Sequence, residues 1–440
     1  MRLDSASFQD FPPFADGLIK FPPKPEGSTK AEVHFLTGPN GCGKTRMLCL
    51  LAAALGNESE LARRLGDKKS HLAVGGFSDD GQWGGWFRNQ GVRWISGNDE
   101  PADGYASLIT DPQDSERLPR RGGRKSPNFL NDSITGVQAC GAFAFDASTP
   151  AQDAKVLPMK EVNLGNPSEH LLFTKPDTES AVVAQSLTNI KMGAAMEQMQ
   201  RLNGEGGRLI KLADRLEGAL SSITGRPFGF IVDPQPTVAL KAVWGGVKMR
   251  FEELPNGLRS IIGNLAAVAG KLASAYPDHP DPLSLPIVLL LDEPEAHLHP
   301  GWQRHVVRAA QELLPNAQIF AATHSAFAIS SVNEGWIHIM RPGDDGLVHI
   351  EEPRACSNGD SYLEVLQEVL GLTERFDPDT EEQLKQYREL RQEVLNGAWT
   401  KEAELRALAQ AIGDRGPSLQ HMMGQELWQL DKIKAQSRAS

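Results

Sequence analysis

The apolar and polar positions of this chain change period along its length, and the changes mark out its elements. A short apolar run over 33–37, interrupted by His34, and unbroken runs at 287–291 and 319–322 have the pattern of strands in a sheet, the continuous run at 287–291 being what a parallel central sheet demands. The first is followed by a helical face of Met47, Leu48, Leu51 and Leu55, stopped by Gly56. The second is followed by a helical stretch over 302–314, stopped by Pro315. Another helix opens at Leu254, Pro255, Asn256 and Gly257 and carries Ile261, Ile262, Leu265, Val268, Ala269 and Leu272 on one face. Strands alternating with helices predict an α/β architecture.

The remaining pattern is more broken. Residues 1–30 read as short strands around Phe8 and over 18–21, with a turn at Phe11, Pro12 and Pro13. Strand-like runs at 72–77, 92–96 and 141–145 are separated by polar loops. Helical spacing returns over 177–224, broken at 203–207, so two helices that fold back on each other are expected. A β-hairpin over 238–251 turns at Trp244, Gly245 and Gly246, a small strand pair follows at 336–340 and 347–351, and the tail from 361 is helical and charged. We therefore expect a core built from 1–56 and 225–355. Between its parts lies an insertion, 57–224, irregular and β-rich before a helical hairpin, and a helical C-terminal region spans 356–440.

Composition narrows the function classes. With 440 residues, 40% hydrophobic and 23% charged, the chain has room for more than one core and the make-up of a soluble globular protein. No apolar run reaches bilayer length and no export signal opens the chain, so no membrane association is expected. Four cysteines without C-x-x-C spacing point to reduced thiols and a cytoplasmic location. A net charge of −11 argues against nucleic-acid binding by a wholly basic surface, though a local basic groove is compatible with it. Arg117, Arg120, Arg121, Arg124 and Lys125 form a dense basic cluster, read here as a solvated loop that could also touch a phosphate backbone. Trp83, Trp86 and Trp94 with Arg88 and Arg93 read as a small hydrophobic satellite, with stacking on single-stranded bases as the other option.

The candidate chemistry sits at the ends of the apolar runs. Gly38, Gly43, Lys44 and Thr45 stand as G-x-x-x-x-G-K-T between a strand and a helix, the context a phosphate-binding loop requires. Gly38, Gly41 and Gly43 let the backbone close on an anion with its N–H groups inward. Lys44 would reach the outer phosphates of a triphosphate, and the Thr45 hydroxyl would join the shell of a Mg²⁺ ion. Asp292 ends the second apolar run and can hold that ion through water, while Glu293 can act as general base toward an attacking water. Adjacent carboxylates at the end of a buried strand are costly unless a cation or a reaction uses them. His324, at the end of the third run, can hydrogen-bond a γ-phosphate. Phe8, Phe11 and Phe14 are either adenine-stacking residues or core aromatics, the second being commoner.

Together, GPNGCGKT, LLLDEPEAHLHPGWQ and AATHSAF resemble the ATP-binding-cassette class of P-loop ATPases, in the branch of SMC and RecF proteins and of stand-alone bacterial ATPases. LPNGLRS resembles that branch's signature motif. The resemblance implies an ABC-type core with a mixed or parallel central sheet, and ATP with Mg²⁺ held by Gly38, Asn40, Gly41, Gly43, Lys44 and Thr45. It implies Asn256 and Gly257 facing ATP on a second subunit of a homodimer or higher homo-oligomer, with the 295–299 loop lining the same interface. Pro255 stands where the family's signature serine would be. The helical tail resembles those of ATPases from anti-phage systems such as Septu, PARIS and retrons. These imply a separate effector, a nuclease or toxin, and a DNA or phage-derived trigger; the stretch after His324 lacks the acidic strand pattern of a fused nuclease. The alternatives are a DNA-binding repair or chromosome-maintenance ATPase and a nucleotide-gated scaffold with little turnover.

Overall fold

In the computed structural model the three apolar runs are neighbours in one sheet. The structure describes residues 2–55, 61, 71–78, 81–88, 92–96, 142–145, 178–200, 207–234, 238–356, 361–372 and 374–439. The basic cluster at 117–125 lies outside them. The chain divides into two compact units, Met1–Leu370 and Gly371–Ser440.

In the first unit, strands β1 (Arg2–Gln9), β2 (Gly17–Lys20) and β3 (Glu32–Thr37) lead into helix α1 (Lys44–Ala54). Next come β4 (His71–Ser78), β5 (Gly81–Arg88), β6 (Val92–Ser96), β7 (Ala142–Phe145), α2 (Thr178–Gln200) and α3 (Arg208–Thr224). A small sheet of β8 (Phe228–Asp233), β9 (Ala239–Trp244) and β10 (Val247–Met249) precedes α4 (Asn256–Ala275). Then β11 (Val288–Asp292), α5 (Pro300–Leu313), β12 (Gln318–Ala322), α6 (Ala326–Ile329), β13 (Trp336–Pro342), β14 (Val348–Ile350) and β15 (Arg354–Ala355) complete the unit's strands.

The central sheet runs β14-β13-β3-β12-β11-β7, with β15 added to β13. The five strands from β13 to β7 are parallel, and β14 and β15 are antiparallel to β13. Strand side chains alternate between faces with period two, and both faces are buried. Val33, Phe35, Leu289, Leu291, Ile319 and Ala321 enter a core shared with α2, α3, α4 and α5. Leu36, Val288, Leu290, Phe320 and Ala322 enter the opposite core, built on α1 and the β1 sheet. Burying one such Leu or Ile side chain stabilises the fold by about 1.5–3 kcal/mol, so these runs leave little choice of pairing face.

The structure departs from the sequence reading in strand partners. The expected pair forms, as β13 with β14, but it is not separate: β13 also lies parallel beside β3, Trp336 opposite His34. The backbone of 81–88 and 92–96 forms β5 and β6, antiparallel neighbours in the sheet β2-β1-β4-β5-β6, and the tryptophan and arginine side chains there lie outside what the structure describes. Strand β8 was not anticipated, because Phe228–Asp233 follows directly on α3 with Gly225 as the helix's left-handed stop.

A buried polar seam crosses between the two larger sheets. Glu32 Oε1 accepts from His34 Nε2 at 2.7 Å and from Gln318 Nε2 at 2.8 Å, and Arg2 Nε donates to the same carboxylate at 3.0 Å. With its Nε2 proton on Glu32, His34 accepts at Nδ1 from His338 Nε2, 3.0 Å away. Gln318 also clamps the backbone of Leu3, donating to its carbonyl and accepting from its amide. Burial pushes the imidazoles of His34 and His338 toward the neutral form. Burial works to raise Glu32, but hydrogen bonds from His34 and Arg2 overrule it and keep the carboxyl below its ordinary range.

The second unit is helical: α7 (Pro378–Leu395), α8 (Glu402–Gly413) and α9 (Pro417–Ala439) enclose Leu384, Tyr387, Leu405, Ile412, Met423 and Leu430. Among the described residues no helix is long and apolar enough to cross a membrane.

Candidate nucleotide-binding site

The loop between β3 and α1 is shaped by contacts that forbid side chains. Gly38 has φ 151°, and a Cβ there would lie 2.2 Å from the Met340 carbonyl oxygen of β13. Gly43 has φ 92°, and a Cβ would lie 2.7 Å from the Phe14 ring. Gly41 adopts φ 82° at the exposed tip beside Asn40. Phe8, Phe11 and Phe14 form the floor under this loop, only 3%, 0% and 2% exposed, so the core reading of these rings holds.

Lys44 is 7% exposed, with its Nζ 3.1 Å from the carbonyl oxygens of both Gly38 and Pro39. Burial lowers the ammonium's proton affinity, opposed by Cys42 and by the carboxylates of Glu293 and Asp292. The Thr45 hydroxyl donates to Asp292 Oδ2 at 2.8 Å. Two segments 247 positions apart therefore meet at the edge of the sheet. The residues fit Mg²⁺, a hard cation with oxygen ligands: a hydroxyl and a carboxylate lie side by side next to a glycine cradle.

Strand β12 lies between β3 and β11, which brings its end, Thr323 and His324, alongside both. Glu293 turns out of β11 at φ 46°, a conformation that costs a non-glycine residue about 1–2 kcal/mol. The turn is held by Glu293 N donating to Ala322 O at 2.8 Å and Ala296 N donating to Glu293 O at 2.9 Å. His324 Nε2 then stands 3.5 Å from Glu293 Oε1, both partly exposed. Burial lowers the His324 pKa and the Lys44 charge lowers it further, against the pull of Glu293, so the imidazole is neutral at pH 7.

Asn256 and Gly257 open α4 and sit against the turn after β11, Asn256 exposed and Gly257 buried. A Cβ on Gly257 would meet Leu298 Cδ2 at 2.6 Å and the His297 carbonyl at 2.8 Å. Pro255 caps the helix without any side-chain hydrogen bond, leaving first-turn N–H groups available.

Sequence reasoning gave no role to Thr323, Ser325 or Gln303 and saw Glu295 only as the start of an interface loop. The Thr323 hydroxyl donates to Glu295, and Ser325 and Gln303 extend the chain of hydrogen bonds. The available signal was the third acid of DEPE, Glu295, which is too polar for a strand end with no role.

A family model described as "AAA domain, putative AbiEii toxin, Type IV TA system" matches residues 244–330. The chain is 28% identical over 109 residues to the Retron Vc95 probable ATPase of Vibrio cholerae serotype O1 biovar El Tor, covering 25% of this chain and 21% of that protein. It is 30% identical over 94 residues to the Septu protein PtuA of Bacillus thuringiensis, covering 21% of this chain and 24% of that one. The SMC head domain from Thermotoga maritima aligns with 80% of this chain and 99% of its own, at 14% identity and a TM-score of 0.40. The fold is α/β, a largely parallel sheet with a glycine-rich loop between β3 and α1. The glycine-rich loop, the paired carboxylates at the end of β11 and the histidine after β12 converge at one edge of the sheet, and the start of α4 packs on the turn that follows those carboxylates. The aligned stretches span only about a fifth to a quarter of these curated relatives' own lengths.

Proposed function

We propose that this protein binds and hydrolyses ATP, that two copies close around ATP, and that the nucleotide state controls a separate effector, a nuclease or toxin, in anti-phage defence in the cytoplasm. The observation that carries the reading is the convergence of Lys44, Thr45, Asp292, Glu293 and His324 from three strand ends. Two matched relatives named for retron and Septu systems support the setting.

In this reading the loop N–H groups and the Lys44 ammonium bind the β and γ phosphates. Thr45 and Asp292 hold Mg²⁺, which supplies neutralisation of the charge on those phosphates. Glu293 takes a proton from the attacking water as its oxygen bonds to the γ phosphorus and the bond to the β,γ-bridging oxygen breaks. His324 donates from its neutral ring to a γ-phosphate oxygen and holds the water's line of approach. Asn256, Gly257 and the first-turn N–H groups of α4 face the γ-phosphate bound on the other subunit.

Pro255 favours a second reading, a nucleotide-gated scaffold with little turnover, since it offers neither a hydroxyl nor an N–H there. Light scattering of the Glu293→Gln variant tests the proposal: ATP with Mg²⁺ should double the mass, and ADP should not. A mass unchanged by ATP rules the ATP-closed dimer out. Turnover by the wild type, with and without DNA, separates the readings: steady turnover indifferent to DNA supports effector control, none supports the scaffold, and strong stimulation by DNA supports a repair ATPase.

A further inference from the structure

Behind the reacting pair runs a closed circuit of polar groups. Glu295, 6% exposed, accepts from the Thr323 hydroxyl and, at 3.3 Å, from the His324 amide. The Ser325 amide donates to Thr323 Oγ1 at 2.9 Å, and the Ser325 hydroxyl donates to Gln303 Oε1 at 2.7 Å. Gln303 Nε2 donates to the Leu298 carbonyl at 3.2 Å, and the Leu298 amide donates back to the Glu295 carbonyl at 3.1 Å. The ring thus closes on the turn that carries Glu295. At one end this turn packs under Gly257 at the start of α4, and at the other His324 stands against Glu293.

We propose that Glu295 is the positioning residue of the hydrolytic pair: through Thr323 and the His324 amide it fixes His324 against Glu293 and ties both to the start of α4. This rests on the ATPase reading above. Its surroundings favour the neutral form of the carboxyl. Burial pushes its proton affinity up, hydrogen bonds from Thr323 and the His324 amide oppose this, and the charge of Glu293 adds to the rise. Among the described residues its second oxygen, Oε2, is buried without a hydrogen-bond partner, a place that suits an uncharged group better than a carboxylate. Glutamine, which matches the neutral acid in shape and retains the accepting oxygen, should therefore replace it.

The test compares full-length wild type with Glu295→Gln, Glu295→Ala and Thr323→Val, reading kcat, the Kd for a fluorescent ATP analogue, and amide hydrogen exchange over 323–325. Glu295→Ala should lower kcat at least about tenfold with Kd changed less than about twofold, while Glu295→Gln stays within about threefold of wild type. Exchange over 323–325 should rise in the alanine variant and not in the glutamine variant. Should Glu295→Ala not fold, Thr323→Val removes only the hydroxyl and should still lower kcat with Kd unchanged. Wild-type kcat in Glu295→Ala, or Glu295→Gln as slow as Glu295→Ala, overturns the proposal. If the wild type turns over no ATP, the ATPase reading fails, and exchange at 323–325 then decides alone whether Glu295 holds this corner.

Discussion

At Gly38 the phosphate loop and strand β13 compete for the same space, and only the missing side chain lets both fit. The Met340 carbonyl is rigid backbone, so Gly38→Ala must displace the loop or the strand. We expect a loss of about 1–3 kcal/mol in stability and at least tenfold weaker ATP binding, read by thermal melting and titration. Gly41→Ala is the control. It shares a positive φ, but its Cβ would meet nothing within 4 Å, so about 1 kcal/mol of backbone strain is its whole cost. Equal losses in the two variants would show that steric contact with β13 is not what selects Gly38. The motif's spacing gave away Gly38, whereas the reason for it was hidden, because Met340 is some three hundred positions distant in the chain.

At the scale of elements, the seam of Glu32, His34, His338 and Gln318 locks the strands that carry the site. The two imidazoles are held below their ordinary pKa of 6.5 when folded. Well above pH 6.5 neither the folded nor the unfolded chain protonates them, so their contribution is level. Below it the unfolded chain binds protons that the folded chain refuses, and stability falls, by up to about 1.4 kcal/mol per histidine per pH unit. Glu32, lowered in the fold, adds to the loss as pH drops below its ordinary 4.5. Glu295 works in the opposite sense as a single group, since its raised pKa favours the fold as pH falls. The melting temperature should therefore drop between pH 7.5 and pH 5, and a flat profile would contradict a neutral histidine pair. Apolar runs announced β3, β11 and β12, unbroken in the last two, because burial on both faces leaves that mark on composition. The place of β13 beside β3 left none, since a parallel partner is chosen by distant segments and not by local period. The polar seam was equally silent: His34 and Glu32 look like ordinary interruptions until Arg2, Gln318 and His338 arrive around them.

For the whole molecule, the α/β class and the convergence of the three strand ends were legible, because a phosphate loop and paired carboxylates each constrain where the other must lie. The helices of 178–224 were visible by period, but their sharing of the central core with α4 and α5 was not. The Gly371–Ser440 unit has its own apolar centre, with Leu405 fully buried. Leu405→Asp places an unpaired charge there and should cost that unit about 3–5 kcal/mol, opening it to protease while ATP affinity stays at the wild-type value. Weakened ATP binding would show that the two units are not independent in this respect. The most direct measurement of the central claim is ATP binding and turnover in wild type, Lys44→Ala and Glu293→Gln side by side. The account predicts binding with turnover in the first, neither in the second, and tight binding with turnover down at least about a hundredfold in the third. Turnover in Glu293→Gln equal to wild type, or ATP binding untouched by Lys44→Ala, would contradict it.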